Sequence, residues 1–200
     1  HLSNKTEITL EANPDDLDAV YLKSLKSTPV NRLSIGVQSF RDEDLKYLNR
    51  IHSAFQAKQV IELAQDTGFT NLSIDLIFGI PTLSDVEWEK NLEAFYKMKI
   101  PHLSAYGLTV EPKTALDIFI KKGKVKPIED EKIAQQFDQL INSAQQKGYT
   151  HYETSNFCIE PNFALHNRSY WKGDPYIGLG PSAHSFDGQS RQWNVSNVRK

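Results

Sequence analysis

The sequence predicts an α/β fold, in which parallel strands alternate with helices that cover the sheet. Four strand–helix units follow one another in the 200-residue chain, and this alternation is typical of parallel α/β architectures. The pattern suits a TIM-type (β/α) barrel or an open α/β sheet, but four units are too few to close an eight-stranded barrel. The chain also starts abruptly, almost directly before its first strand. We therefore expect a partial barrel, truncated at the N-terminus, with an irregular C-terminal extension.

Five runs of apolar and β-branched residues predict the strands. The clearest run covers residues 71–81 and is closed by Gly79 and Pro81, as expected for a buried strand. The other runs cover residues 7–12, 32–38, 102–110 and 149–154. Regular periodicity fades after Ser155, so the remaining tail, rich in aromatic residues, Gly, Asn and His, is predicted to be irregular.

Apolar residues spaced three and four positions apart predict the helices between the strands. Ser53 with Gln56, and Ser84 with Glu87, form capping boxes that mark two helix starts. The other helices are predicted from Asp15 onward and over residues 42–48, 115–120 and 130–147. The chain then divides into a partial barrel, residues 1–112, and a second segment of helix, strand and tail, residues 113–200.

The composition excludes several classes of protein. A net charge of −2 gives no basic surface for nucleic acid or an anionic membrane. No apolar run approaches the roughly 20 residues that a membrane span needs. Cys158 is the single cysteine, so an internal disulfide cannot form, which fits a reducing cytoplasm. Cys158 itself is interpreted as a small buried residue rather than a haem ligand.

Polar residues at the ends of the predicted strands form the candidate site. Asp75 lies inside an apolar strand, so it is either an internal structural partner or a ligand-binding residue. Glu11, Gln38, Tyr106 and Thr109 also lie at or near strand ends, where ligands bind in parallel α/β folds. Each of them alone is interpreted as a cap or turn residue. Together they predict one shared site, whose acids and amides suit ribose hydroxyls and amines.

Arg50 adds a guanidinium group to this part of the sequence. It would bind a carboxylate or a phosphate in a forked geometry. The alternative is a surface salt bridge with Asp42 or Glu43. From the residues alone, a scaffold in which every one of these polar side chains is structural stays open as a further interpretation.

Four motifs follow one another along the chain: Glu11-Ala-Asn-Pro, Arg32-Leu-Ser-Ile-Gly-Val-Gln-Ser-Phe, Leu48-Asn-Arg-Ile-His and Asp75-Leu-Ile-Phe-Gly-Ile-Pro. In this order they resemble the motifs of the radical S-adenosylmethionine family of oxygen-independent coproporphyrinogen III oxidases, and the resemblance spans nearly the whole chain. It implies that the first four strands are the third to sixth of a six-unit barrel. It also implies that Glu11, Gln38, Arg50 and Asp75 contact S-adenosylmethionine.

Two motifs of that family are absent from this chain: a Cys-x3-Cys-x2-Cys loop that holds a [4Fe–4S] cluster, and a Gly-Gly-Gly-Thr-Pro sequence. A cluster needs several thiolates, which Cys158 alone cannot supply. By itself the chain is expected to hold no such cluster, to perform no radical chemistry and to bind S-adenosylmethionine weakly; the full-length protein would carry both cofactors. An exposed sheet edge is also expected, through which two chains would pair as a dimer.

The tail resembles the HemW-type haem chaperone branch of the family, whose signature is met here by His166, Asn167 and Tyr170. This branch is regarded as delivering haem to respiratory enzymes, so the resemblance implies haem and haem-receiving proteins as partners. An imidazole ligates haem iron, and Tyr170 and Trp171 would stack on a porphyrin face. The alternative is that His166 and Asn167 make loop hydrogen bonds and that Trp171 belongs to the core.

The family also leaves a second function open. A true oxygen-independent coproporphyrinogen III oxidase would decarboxylate the propionate side chains of its porphyrinogen substrate through a 5′-deoxyadenosyl radical. The resemblance further implies that the tail returns toward the barrel mouth, where His184 would line the cavity.

Overall fold

The computed structural model describes residues 3, 5–125, 127 and 129–198, and a six-stranded sheet lies at its centre. The strands are β1 (Thr9–Ala12), β2 (Arg32–Gln38), β3 (Leu72–Phe78), β4 (His102–Gly107), β5 (Thr150–Glu153) and β6 (Asn156–Cys158). Their order in the sheet is β1-β2-β3-β4-β6-β5. The first four are parallel neighbours, whereas β6 is antiparallel to both β4 and β5. The predicted α/β class with a mainly parallel sheet is confirmed.

Six helices of the described residues connect these strands. They are α1 (Ala19–Lys26), α2 (Asp42–Tyr47), α3 (Ala54–Asp66), α4 (Asp85–Lys97), α5 (Ala115–Lys121) and α6 (Asp130–Gln146). Both predicted capping boxes are present, at the starts of α3 and α4. The helix expected from Asp15 begins later, because Asp18 caps α1 by accepting a hydrogen bond from the Tyr21 N–H at 2.7 Å. No described helix combines the length and apolar character needed to cross a membrane.

One face of the sheet packs against the helices and forms the core. Alternate side chains along each strand point to this face, which explains why the buried apolar residues of β2 and β3 are spaced two apart. These residues are Leu33, Ile35, Val37, Leu72, Ile74, Leu76 and Phe78. Each such side chain contributes about 1.5–3 kcal/mol when it is fully buried. The intervening residues therefore point to the opposite face, where the polar side chains lie.

A buried glutamine fixes the carboxyl end of β3 to α6. Gly79 follows β3 with a φ of +74°, and a Cβ atom there would lie 2.5 Å from a side-chain carbon of Ile133. The Gly79 N–H donates to Gln136 Oε1 at 2.8 Å. The Trp88 indole N–H donates to the Gln136 carbonyl at 2.9 Å. Glycine is therefore required at position 79, and α6 is held against the end of the strand.

The fifth predicted strand does not extend the parallel sheet. A short connection joins β5 to β6, and such a connection permits only antiparallel pairing. The unpredicted β6 lies between β4 and β5 and leaves β5 at the sheet edge. The chain forms two compact units, His1–Phe163 and Ala164–Lys200. The predicted division after residue 112 does not coincide with this boundary, because α6, β5 and β6 pack onto the sheet and α4.

The C-terminal unit, Ala164–Lys200, contains regular structure where the sequence predicts an irregular tail. Helix α7 (Leu165–Lys172) ends at Gly173, which has a left-handed conformation with a φ of +71°. Strands β7 (His184–Phe186) and β8 (Arg191–Trp193) then form an antiparallel pair. Helix α7 is only eight residues long and buries none of its residues.

Candidate functional site

The polar face of the sheet carries two of the predicted site residues, Glu11 and Asp75, and the serines that lie beside them on the neighbouring strands. The strand register places Glu11 beside Ser34, and Asp75 beside Ser104. The Ser34 hydroxyl donates to Asp75 Oδ1 at 3.4 Å, so these side chains lie on one face. Glu11 is exposed, whereas the two serines are buried. A row of carboxylates and hydroxyls thus crosses four neighbouring strands.

Asp75 has a strongly perturbed environment within this row. Burial raises its pKa from 3.8 to about 6, and the negative charge of Glu11 adds to the rise. Hydrogen bonds with Ser104 and Ser34, and the positive charge of Arg32, act in the opposite direction. A partly buried carboxylate of this kind accepts hydrogen bonds well from a ligand, and perturbed acids concentrate at functional sites.

Gln38 brings an amide to the carboxyl end of β2. Its φ of +69° is costly for a residue with a side chain, and such strain is typical of functional sites. The amide lies over Gly36, where a Cβ atom would come 2.8 Å from Gln38 Nε2 and 3.5 Å from Asn13 Oδ1. The absence of a side chain at Gly36 thus makes room for Gln38 beside Asn13.

Arg50 completes this group. Its Nη1 donates to Asn13 Oδ1 at 3.2 Å. The alternative of a surface salt bridge is wrong, because Asp42 accepts from the N–H of Ala54 at 2.7 Å and Glu43 pairs with Arg41 at 2.8 Å. The structure therefore turns Arg50 toward the carboxyl ends of β1 and β2, where Gln38 also lies.

A groove of about 500 Å³ opens beside β4 and α6 at the carboxyl end of the sheet. Tyr106 and Thr109 line it, together with aromatic side chains of β3 and α6. Burial raises the pKa of Tyr106, and the negative charge of Asp75 raises it further. Tyr106 thus lies near Asp75 and also lines the groove. The Thr109 hydroxyl donates a hydrogen bond to the Gly107 carbonyl at 3.3 Å.

A buried network around His102 was missed by the sequence interpretation. Its Nδ1 lies 2.7 Å from the Ser73 hydroxyl, and its Nε2 lies 2.7 Å from the Tyr152 hydroxyl. Burial and the positive charge of Arg32 lower the pKa of His102 to about 3, so the imidazole is neutral. The signal in the sequence was the alternation of polar with apolar residues at the starts of β2, β3 and β4, which the pairs Arg32/Ser34, Ser73/Asp75 and His102/Ser104 show.

Helix α7 presents the predicted haem-binding residues. His166 Nε2 lies 2.9 Å from the Tyr170 hydroxyl, one helical turn away, and the two rings meet edge to face with centroids 4.8 Å apart. The Tyr170 ring also contacts Tyr176, with centroids 4.7 Å apart. Asn167 lies on the same helix and is half-buried. The alternative of a core tryptophan is wrong, because Trp171 is 64% exposed.

His184 lies on β7 in the C-terminal unit. Its ring is 6.3 Å from that of Trp193, and both side chains line a groove of about 630 Å³ within the unit. Its position at a barrel mouth stays a prediction. The structure thus brings Glu11, Asp75 and Tyr106 close together at the sheet and places Gln38 and Arg50 beside Asn13 at the ends of β1 and β2. It places His166, Asn167, Tyr170 and His184 in the other unit.

Comparison with known proteins identifies related sequences. Residues 2–95 match the model of the Radical SAM superfamily. The chain is 36% identical over 197 residues to "Heme chaperone HemW" of Bacillus subtilis, covering 98% of this chain and 52% of that protein. It is 40% identical over 185 residues to the protein of the same name from Escherichia coli, covering 92% of this chain and 47% of that protein. The chain therefore spans about half the length of these relatives.

A solved structure shares the fold. Coproporphyrinogen III oxidase (HemN) from Escherichia coli, described as a radical SAM enzyme, superposes with a TM-score of 0.77. The match covers 96% of this chain and 47% of that one, at 24% sequence identity. At this identity the likeness establishes the fold and leaves the reaction open.

Proposed function

We propose that this chain, whose residues 2–95 match the model of the Radical SAM superfamily, is part of a HemW-type haem chaperone. In this proposal the carboxyl edge of the sheet binds S-adenosylmethionine, and helix α7 binds haem that is passed to other proteins. The observation that carries it is the 32–40% identity to bacterial proteins named haem chaperone HemW, which extends through both units.

The acids at the sheet edge suit S-adenosylmethionine. The ribose of this ligand offers two hydroxyl donors, and its sulfonium and amino groups are positive. Glu11 and Asp75 supply carboxylate acceptors on neighbouring parts of the polar face, and they also supply negative charge. The Gln38 amide donates and accepts, and the Arg50 guanidinium suits a ligand carboxylate.

The residues of this chain do not fit a [4Fe–4S] cluster. Such a cluster is held by several cysteine thiolates, and Cys158 is the single cysteine. Its side chain is fully buried in β6. Within the described part of the chain, no three His, Cys, Asp or Glu side chains are grouped to hold a metal ion. Cluster ligands would therefore have to come from outside this sequence.

The surface of the C-terminal unit suits a porphyrin. Haem offers two flat apolar faces and an iron that accepts nitrogen or oxygen ligands. Helix α7 presents an imidazole and a phenol side by side, and exposed apolar side chains surround the same stretch of sequence. Trp171 is exposed on α7, and Ile177 and Leu179 follow it with exposures of 84% and 87%.

A haemin titration tests this proposal. We expect the wild-type chain to bind one ferric haem with a new Soret band, and the double variant His166→Ala/Tyr170→Phe to lose that band. The matched control is His151→Ala, which removes an exposed imidazole from the sheet unit and leaves α7 intact. Equal binding by the wild type and the double variant would remove α7 from the site and with it the haem part of the proposal.

The oxidase is the second candidate, because the four strand motifs resemble those of the oxygen-independent coproporphyrinogen III oxidases. A cluster-loaded protein that includes this sequence separates the two functions when it is incubated with coproporphyrinogen III and S-adenosylmethionine. The chaperone assignment predicts no loss of propionate carboxyl groups as CO2. Decarboxylation with multiple turnovers would establish the oxidase instead.

A further inference from the structure

We propose that His52 is a positioning residue for the S-adenosylmethionine site, because its imidazole holds the strained turn at Gln38 and the loop of Arg50 in place. The inference rests on the proposed binding of this ligand at the carboxyl edge of the sheet, and it adds the residue that supports that edge. His52 is only 3% exposed. It therefore acts through the groups that it fixes, without touching the ligand itself.

The turn at the end of β2 is short and strained. The Ser39 N–H donates to the Val37 carbonyl at 2.9 Å, so this hydrogen bond spans two positions and encloses Gln38. Gln38 has a φ of +69°, which is the central conformation of the rare and strained form of the γ-turn. Such a conformation persists only where the surrounding structure enforces it.

His52 supplies this support from the loop between α2 and α3. Its Nε2 lies 3.1 Å from the Val37 carbonyl oxygen. A carbonyl oxygen only accepts hydrogen bonds, so Nε2 carries a hydrogen and donates it. The Val37 carbonyl thus accepts two hydrogen bonds, one that closes the turn and one from the imidazole. Without the imidazole donor, a single hydrogen bond would have to hold the strained turn.

The same imidazole connects the segments that carry the neighbouring groups of the site. His52 follows Arg50 by two residues, so its attachment to β2 limits where the Arg50 guanidinium can lie. On the other side of the ring, Nδ1 lies 3.5 Å from Asp15 Oδ1. Asp15 is two residues from Asn13, which accepts the hydrogen bond from Arg50 at 3.2 Å. Donors that are fixed before binding give a higher affinity, since fewer groups must be ordered when the ligand arrives.

Two substitutions separate the two sides of the ring. His52→Gln places an amide N–H close to the position of Nε2, whereas His52→Asn reaches only the position of Nδ1. Calorimetric titration with S-adenosylmethionine, in a cluster-loaded protein that includes this sequence, measures the affinity of each variant. His52→Asn should lower the affinity about tenfold, which corresponds to ~1.4 kcal/mol and to the loss of about one hydrogen bond. His52→Gln should stay within about threefold of the wild type, since it keeps the donor to Val37.

Hydrogen exchange at the Ser39 N–H reports on the turn directly. This amide should exchange faster in His52→Asn than in the wild type, because the turn that it closes opens more often. In His52→Gln its exchange should be unchanged. This measurement is made without the ligand, so it shows whether the imidazole fixes the turn before binding.

Tyr149→Phe is the matched control. It also removes one buried hydrogen bond, from the phenol to the Ile100 carbonyl at 2.5 Å, but at the opposite, amino end of β4. The control should lower the free energy of unfolding in urea and leave both the affinity and the exchange of Ser39 unchanged. Equal losses of affinity in Tyr149→Phe and His52→Asn would reveal a general effect of stability and overturn the inference.

The remaining outcomes distinguish the inference from the site on which it rests. A His52→Asn variant that binds as tightly as the wild type would overturn the inference and leave the site standing. A His52→Gln variant that binds as weakly as His52→Asn would do the same, because the donor to Val37 would then be insufficient. Absence of binding by the wild type would instead refute the S-adenosylmethionine site, and the inference would fail with it.

Discussion

The ionised Asp75 side chain is predicted to lower the free energy of unfolding of the protein at neutral pH. The substitution Asp75→Asn keeps the shape of the side chain and its hydrogen bonds with the serines of β2 and β4, but removes the negative charge. Burial raises the pKa of Asp75 to about 6, so ionisation is disfavoured in the folded chain. The variant should therefore be more stable than the wild type at neutral pH.

The size of this effect follows from the two pKa values. In the unfolded chain Asp75 titrates near 3.8, and in the folded chain near 6. Below pH 3.8 both states are protonated and the penalty is absent. As pH rises from 3.8 to 6, the unfolded state loses its proton first, so stability falls. The penalty reaches about 3 kcal/mol at pH 7 and is about 1.6 kcal/mol at pH 5.

Urea unfolding of wild type and Asp75→Asn at pH 5 and pH 7 measures this difference. The gain in free energy of unfolding should be about twice as large at pH 7 as at pH 5. Asp44→Asn is the matched control, because Asp44 is buried but bonded to Arg41 at 2.7 Å and to Ser39 at 2.8 Å. It should lose about 2 kcal/mol, since charged hydrogen bonds are removed.

Two results would refute this account of Asp75. One is a variant that is no more stable than the wild type at pH 7. The other is a gain that does not change with pH. A saturation-transfer NMR experiment with S-adenosylmethionine tests whether Asp75 also binds the ligand. The stabilised Asp75→Asn variant should lose contacts to the ribose protons. A residue that costs stability and binds ligand shows the expected trade-off between stability and function.

Two further predictions concern the joint between β3 and α6. Gly79→Ala should lower the free energy of unfolding by about 2–4 kcal/mol, because of the positive φ and the close approach to Ile133. The control Gly148→Ala has a positive φ but open space around it, so it should lower the free energy of unfolding by only about 1–2 kcal/mol. Thermal or urea unfolding measures both, and equal losses would contradict the role of Ile133. Gln136→Ala should lower the free energy of unfolding by about 1–3 kcal/mol, because the buried Gly79 N–H loses its acceptor. If urea unfolding and hydrogen exchange at Gly79 were both unchanged, water would have replaced the side chain, and the prediction would be wrong.

Strands β1 to β5 and the polar strand ends were predictable because short-range patterns determine them. Asp75 stands out as an acid in an apolar run, and the helix starts are marked by their capping boxes. Parallel neighbours then place Glu11, Gln38 and Asp75 at one edge by topology alone. These predictions need only the two-residue periodicity of strands and the three-to-four-residue periodicity of helices.

Other features depend on contacts distant in sequence, which no local pattern contains. His102 shows no signal by itself, because its partners Ser73 and Tyr152 come from other strands. The partner of Arg50 is Asn13, which lies 37 residues away, whereas Asp42 and Glu43 were suggested by proximity in the chain. Helix α7 was missed for a different reason, since it has no buried face.

The position of the iron in a haem-loaded crystal is the most direct test of the proposed chaperone function. Anomalous scattering at the iron absorption edge locates the metal independently of the porphyrin. The account predicts one iron per chain, within bonding reach of the His166 and Tyr170 side chains of α7. An iron bound elsewhere on the chain, or crystals of the haemin-treated protein without an iron peak, would contradict it.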